Sequence, residues 1–147
     1  MAYAINQDVI DRLGTALAAQ LTTPASSTVP DQNQITIARE GAEGLINSYL
    51  ARRYATPVDI TLDAGAAALL KAATIDVAEF RLRERRPPVP DDVTQRFDRT
   101  VEWLREIAEG KANMPSAVEL PGPTSEGPVG QAQGDPRVFT RDQLKGL

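Results

Sequence analysis

Carboxylates come close together at several points in this chain: Glu40 with Glu43, Asp59 with Asp63, Asp91 with Asp92, and Glu102, Glu106 and Glu109 in a row. Two carboxylates on one face can divide general acid and base work, or hold a hard divalent cation such as Mg²⁺. The cations cluster as well. Arg52 and Arg53 close one hydrophobic segment, and Arg81, Arg83, Arg85 and Arg86 close another. Such groups suit a phosphate, a carboxylate or the surface of another protein. There is no histidine and no cysteine. That removes the commonest general base, the commonest transition-metal ligand, thiolate nucleophiles and disulfides together.

The motifs of catalysis are also missing. No Walker-type loop, dinucleotide-binding glycine fingerprint or nucleophile elbow occurs. "LDAGAAALLKA" has a glycine and a later lysine without phosphate-cradling spacing, and reads as a closely packed helix. Capping explains Asp63 and Asp91, while Glu102, Arg105 and Glu109 stand at helical i,i+3 and i,i+4 steps, as on a solvated face. No catalytic residue, metal ligand or cofactor is therefore expected, and a carboxylate-based hydrolase is the weakest of the readings.

The elements that would position these side chains are helical. The chain has 147 residues, 41% hydrophobic, 24% charged and only 5% aromatic, so one domain with an aliphatic and alanine-rich core is expected. Four helices follow from periodicity. The first starts near a cap at Asn6, carries Val9, Ile10, Leu13, Leu17 and Leu21, and stops before Pro24. The second runs from about Asn33 to Arg53 with Ile35, Ala38, Ala42, Leu45, Ile46, Tyr49 and Leu50 on one stripe. The third runs from Asp63 to Arg86. Ala66, Leu69, Leu70, Ala73, Val77 and Phe80 line one face and Ile75 and Leu82 another, so it is either central or shared with a neighbouring subunit. The fourth begins at Asp91 or Asp92 and stops at Gly110. Trp103 lies off its main stripe, where a partly exposed indole suits a protein interface. The expected architecture is an all-α, small four-helix bundle over 1–114.

Residues 115–147 hold five prolines and five glycines, and read as an extended C-terminal arm. The arm ends in "RVFTRDQLKGL", where Val138, Phe139, Arg141 and Leu144 are candidate anchors for docking on a partner. No signal peptide is expected from "MAYAINQDVI", and the uncharged stretch 13–30 contains too many polar residues and prolines to span a membrane. A soluble, intracellular, non-redox protein follows. The formal charge of −4 argues against broad neutralisation of duplex DNA. The helix dipole favours cations in a last turn, which accounts for part of the arginine clustering. It does not account for arginine over lysine, of which there are only three.

"MAYA", "INSYLARRY" followed by Pro57, "FRLRERRPP", "VEWLREIAEGK" and the terminal "VFTRDQLKGL" together resemble the small head–tail joining proteins of Mu-like phages and prophages. The likeness follows the family's order along nearly the whole chain, and departs from it in the Pro/Thr/Ser-rich loop at 22–33 and in the long arm. The resemblance implies a helical head-completion or adaptor protein without enzymatic activity. Its copies, commonly twelve, would form a ring beneath the capsid portal, with genomic DNA threading the ring and the next neck or tail component docking below. It would sit in the neck of the virion after synthesis in the host cytoplasm. In that setting Arg52, Arg53, Tyr54, Arg83, Arg85, Arg86 and Trp103 are the expected contacts to neighbouring copies or the portal, and the arm would reach onto a neighbour. The alternative is a small helical DNA-binding protein using the arginine patches.

Overall fold

Residues 2–23, 28–115 and 117–120 are described by a computed structural model. Among them the chain forms five helices: α1 (Asn6–Leu13), α2 (Thr15–Thr22), α3 (Gln32–Leu50), α4 (Ala64–Glu84) and α5 (Asp91–Ala108). The fold is all-α, with no strand among the described residues and one isolated antiparallel bridge between Tyr54 and Glu119.

The expected first helix is divided in two, which raises the helix count from four to five. Gly14 has φ of +80°, a conformation open to glycine at no steric penalty. Its N–H closes α1 on the Ile10 carbonyl, and its own carbonyl accepts the first bond of α2, from Ala18. The apolar spacing continues through that corner, which is why periodicity alone reads one helix.

The caps combine agreement and difference. Asp63 caps α4, accepting from the Gly65 and Ala66 N–H groups, and Asp31 does the same for α3. Asn6 is the first residue of α1 rather than its cap. Its side-chain amide donates to Thr36 Oγ1 and its oxygen accepts from Arg39, tying α1 to α3. Pro90, not Asp91, takes the cap position of α5, leaving Asp91 and Asp92 in the first turn where the dipole favours them.

α4 is central and packs on α1, α2, α3 and α5. This resolves its two-sided apolar pattern largely in favour of burial within one chain. Two clusters make up the core. One gathers Ile46, Leu50, Tyr54, Leu70, Leu104 and Ile107; the other gathers Val9, Leu21, Ile35, Val77 and Leu82. Each large aliphatic side chain fully buried here contributes roughly 1.5–3 kcal/mol. Small residues at Ala38, Ala42, Ala73 and Ala78 let the helices approach closely. Phe80 of α4 and Phe97 of α5 stack at 4.1 Å between ring centres.

On α4, next to Val77 and Ala78 of the second cluster, stands Glu79, whose side chain is only 4% exposed. Three arginines meet it: Arg83 Nε at 3.0 Å, Arg96 Nη2 at 3.1 Å and Arg12 Nε at 3.6 Å. They come from α4, α5 and α1, so one carboxylate joins three helices. A carboxylate removed from water is tolerable only with compensation of this kind.

Replacing Glu79 by Gln should lower the unfolding free energy by about 3 kcal/mol, near the low end for removing one member of a buried ion pair because the arginines stay partly hydrated. A fall in the urea midpoint at constant m is the readout, and exposed Glu102→Gln should stay within about 0.5 kcal/mol. Asp8 supplies a pH prediction. Partial burial pushes its carboxyl up, but the Ile5 N–H and the Lys71 ammonium outweigh burial and hold it below the ordinary carboxylate range. The stability it provides is therefore present above the unfolded-state value of about 3.9 and is lost as pH falls through the folded value. Asp8→Asn should be less stable than the parent at neutral pH, with the gap closing below about pH 4 in paired thermal melts.

Candidate interaction surfaces

The α3 terminus, "INSYLARRY", is held mostly from within. Ile46 and Leu50 are fully buried, and Asn47 accepts from the Tyr3 hydroxyl. Tyr54 is 1% exposed, and its hydroxyl accepts from the Met114 N–H at 3.0 Å. This corrects its expected place on a partner surface: α3 ends at Leu50, and the following turn swings the ring back under the bundle. Arg53 is also engaged internally. Its guanidinium donates to the Ile107 and Ala112 carbonyls, to Asn113 Oδ1 and to the Glu119 carboxylate. The dipole argument thus holds in altered form, since Arg53 serves the C-terminus of α5 rather than that of its own helix. The Ala55 N–H to Val118 carbonyl bond and the Leu120 N–H to Arg53 carbonyl bond complete a strap across this end.

The other expected contact residues divide between internal ties and free surface. Arg83 is taken by Glu79, and Arg86 donates to the Thr23 carbonyl at 2.7 Å. Arg52 is exposed, within electrostatic reach of Glu109. Arg85 is exposed, and Trp103 is partly so. Val138, Phe139, Arg141 and Leu144 lie outside the described residues, as does most of the proposed arm.

The carboxylate pairs have local duties. Glu43 accepts from Arg39 and the Tyr3 N–H, Asp59 from Thr61, Asp92 from Arg96, and Glu109 pairs with Lys111. Among the described residues no group of three or more acidic side chains is arranged to hold a metal ion, and no helix is long and apolar enough to cross a membrane.

Two surface depressions among the described residues flank α4. A cleft of about 270 Å³ between α4 and α5 is lined by Leu69, Ala72, Asp76, Arg96, Arg99 and Trp103. Leu69 is 45% exposed there. Burial pushes the Asp76 carboxyl up, against the pull of Arg12 and Arg96. Arg96 Nε is buried without a hydrogen-bond acceptor; Asp76 is nearest, at 3.8 Å. On the other side of α4, a groove of about 210 Å³ is lined by Gln34, Ile37, Ala38, Arg81 and Arg85. Ile37 is 56% exposed, and the Arg81 guanidinium lies over Gly41, where a Cβ would collide with it.

Sequence reasoning missed Glu79, Arg96, Arg12 and Arg39 as organising residues. The Glu79–Arg83 spacing of four was a signal, as was an acid directly after Val77 and Ala78 on an otherwise apolar helix face.

Comparison with known proteins places this architecture in a lineage. The chain is 31% identical over 145 residues to Gene product J of Escherichia phage Mu, an alignment that covers 97% of each protein. Residues 3–131 match the family described as Bacteriophage Mu, Gp36. That match takes in every helix and the strap that Arg53 holds, and the chain belongs to the bacteriophage Mu Gp36 family.

Proposed function

We propose that the chain is a structural subunit of the phage head–tail connector, an adaptor or head-completion protein whose copies form a ring under the capsid portal. Genomic DNA passes through the ring without sequence-specific binding, the portal lies on one side and the next neck or tail component on the other. The virion neck is its place of action, and it carries out no catalysis. The observation that carries this reading is the match to Mu proteins along almost the whole chain, in the order of the motifs that resemble head–tail joining proteins.

The charge distribution supports it. Several acids that resemble a catalytic pair in sequence have structural partners instead: Asp63 caps α4, Glu43 pairs with Arg39 and Asp92 with Arg96. A net charge of −4 keeps a DNA channel from gripping the passing duplex when acids rather than arginines face the lumen.

Removal of residues 137–147 should leave the helical domain folded, as judged by circular dichroism, while the protein fails to enter phage particles. Normal particles from that deletion would refute the arm's role. Titration of the full chain with duplex DNA against salt separates the connector from a DNA-binding protein. The connector reading expects weak binding with a log–log slope shallower than about −2, whereas a slope of about −4 or steeper would transfer the arginine surfaces to phosphate recognition.

A further inference from the structure

We propose that copies of this chain join head to tail, with Ile37, Arg81 and Arg85 of one copy seated against the Leu69–Trp103 cleft and the free carboxylates of α5 on the next. The inference rests on the reading of the chain as a ring subunit and specifies how neighbours meet. Its basis is the position of the two depressions. The groove is walled by α3 and α4, the cleft by α4 and α5. Asp76 of α4 and Arg85, which caps the helix in helical conformation, are nine residues apart, about two and a half turns, and so face opposite sides. Surfaces placed in this way cannot meet within one chain. A contact between them is heterologous, the type that closes rings.

Shape and charge agree. Ile37 is an exposed aliphatic side chain with arginines beside it, and Leu69, Ala72 and Trp103 form an apolar hollow with charges at its edge. A dry centre with a polar rim is the ordinary anatomy of an interface. Among the described residues Arg81 and Arg85 have no carboxylate within ion-pair distance, and Asp98, Glu102 and Glu106 on the outer face of α5 have no cation within it. Among the described residues Arg99, on the rim of the cleft, has no carboxylate within ion-pair distance, while Glu40, one turn along α3 from Ile37, is 64% exposed and pairs with Arg39 of its own helix at 3.5 Å. The groove flank thus offers Arg81 and Arg85 beside exposed Ile37, and the other flank offers carboxylates beside an apolar hollow. Apart from this match, an unrelated acidic protein would have reason to meet the arginines but none to fill the cleft on the opposite side.

The absence of cysteine permits a direct test on the full chain. Disulfides form only where Cβ atoms come within about 3.5–4.5 Å. The double variant Ile37→Cys with Ala72→Cys should give a ladder of covalent oligomers under mild oxidation, while either single variant gives at most dimer. Adding Arg81→Glu with Arg85→Glu should reduce the cross-linked fraction at least about tenfold, a change of about 1.4 kcal/mol in association, and Glu102→Arg with Glu106→Arg should restore it. Circular dichroism and melting temperature verify that each variant is folded. No ladder from a folded double variant, or a ladder indifferent to the charge reversals, would overturn the interface. The same variant in phage particles keeps the two readings apart. Incorporation without cross-linking there retains the connector and removes this interface; a ladder in solution from a chain absent from particles retains the interface and removes the connector.

Discussion

Glu79 is the constraint around which the helices are arranged. A carboxylate held at 4% side-chain exposure has lost nearly all its water, and several kcal/mol of hydration must be replaced by protein groups. Arg83 supplies one partner from the same helix. The others come from α1 and α5, so α4 cannot keep its charge buried unless both neighbours are docked in register. Apolar packing would tolerate small slides of these helices over one another. Guanidinium forks around one carboxylate tolerate much less. A buried ion cluster gives little net stability compared with a well-packed apolar substitute, but removal of one partner leaves the others' charge uncompensated.

The opposite end of the bundle is fixed by two phenols. Tyr3 accepts from the Val58 N–H and Tyr54 from the Met114 N–H, each satisfying a backbone donor in a connecting segment where no ladder exists to do so. Burial pushes the Tyr3 phenol up, which keeps it neutral and able to donate to Asn47 at the same time. The strap at 112–120 and the N-terminal segment are thereby attached to the same core cluster, which contains Tyr3, Tyr54 and Met114. α1 meets its neighbours through the apolar contact of Val9 and Ile10 and, beside it, through the Asn6 and Arg39 hydrogen bonds.

What the sequence made legible follows from the range of each interaction. The stripe Ile35, Ala38, Ala42, Ile46 and Leu50 is a local repeat, and it is buried as its spacing says. The Asp63 cap and the Gly110 stop, with φ of +81°, are equally local. Gly14 escaped notice because the apolar pattern passes through it and only its backbone angle breaks the helix. Tyr54 was misplaced because its burial depends on Met114, sixty residues away, and Arg53 because its acceptors lie on another helix and beyond. Of the surface residues, Trp103 is legible in the sequence as lying off a buried stripe, and Arg85 as a member of the basic cluster that closes a helix. The pairing of Ile37 with Arg81 was not, since it requires α3 and α4 to be laid side by side first.

The preference for arginine over lysine has a structural answer. Arg53 makes four hydrogen bonds to acceptors spread over three segments, and Arg96 meets Glu79 and Asp92 with different nitrogens. Arg39 likewise reaches Asn6, the Ala4 carbonyl and Glu43. An ammonium offers a point charge on a flexible stem and cannot span such acceptors with one rigid plane. Most of these arginines are therefore structural parts whose charge is already met by protein oxygens. A cation so engaged has little to offer a phosphate, because binding duplex DNA gains its affinity from free cations that release counterions. Of the arginines without an ion pair among the described residues, Arg81 and Arg85 lie beside exposed Ile37 on one flank of α4 and Arg99 lies beside Trp103 on the other. Unpaired charge next to exposed apolar surface is the combination that favours contact with protein over contact with nucleic acid.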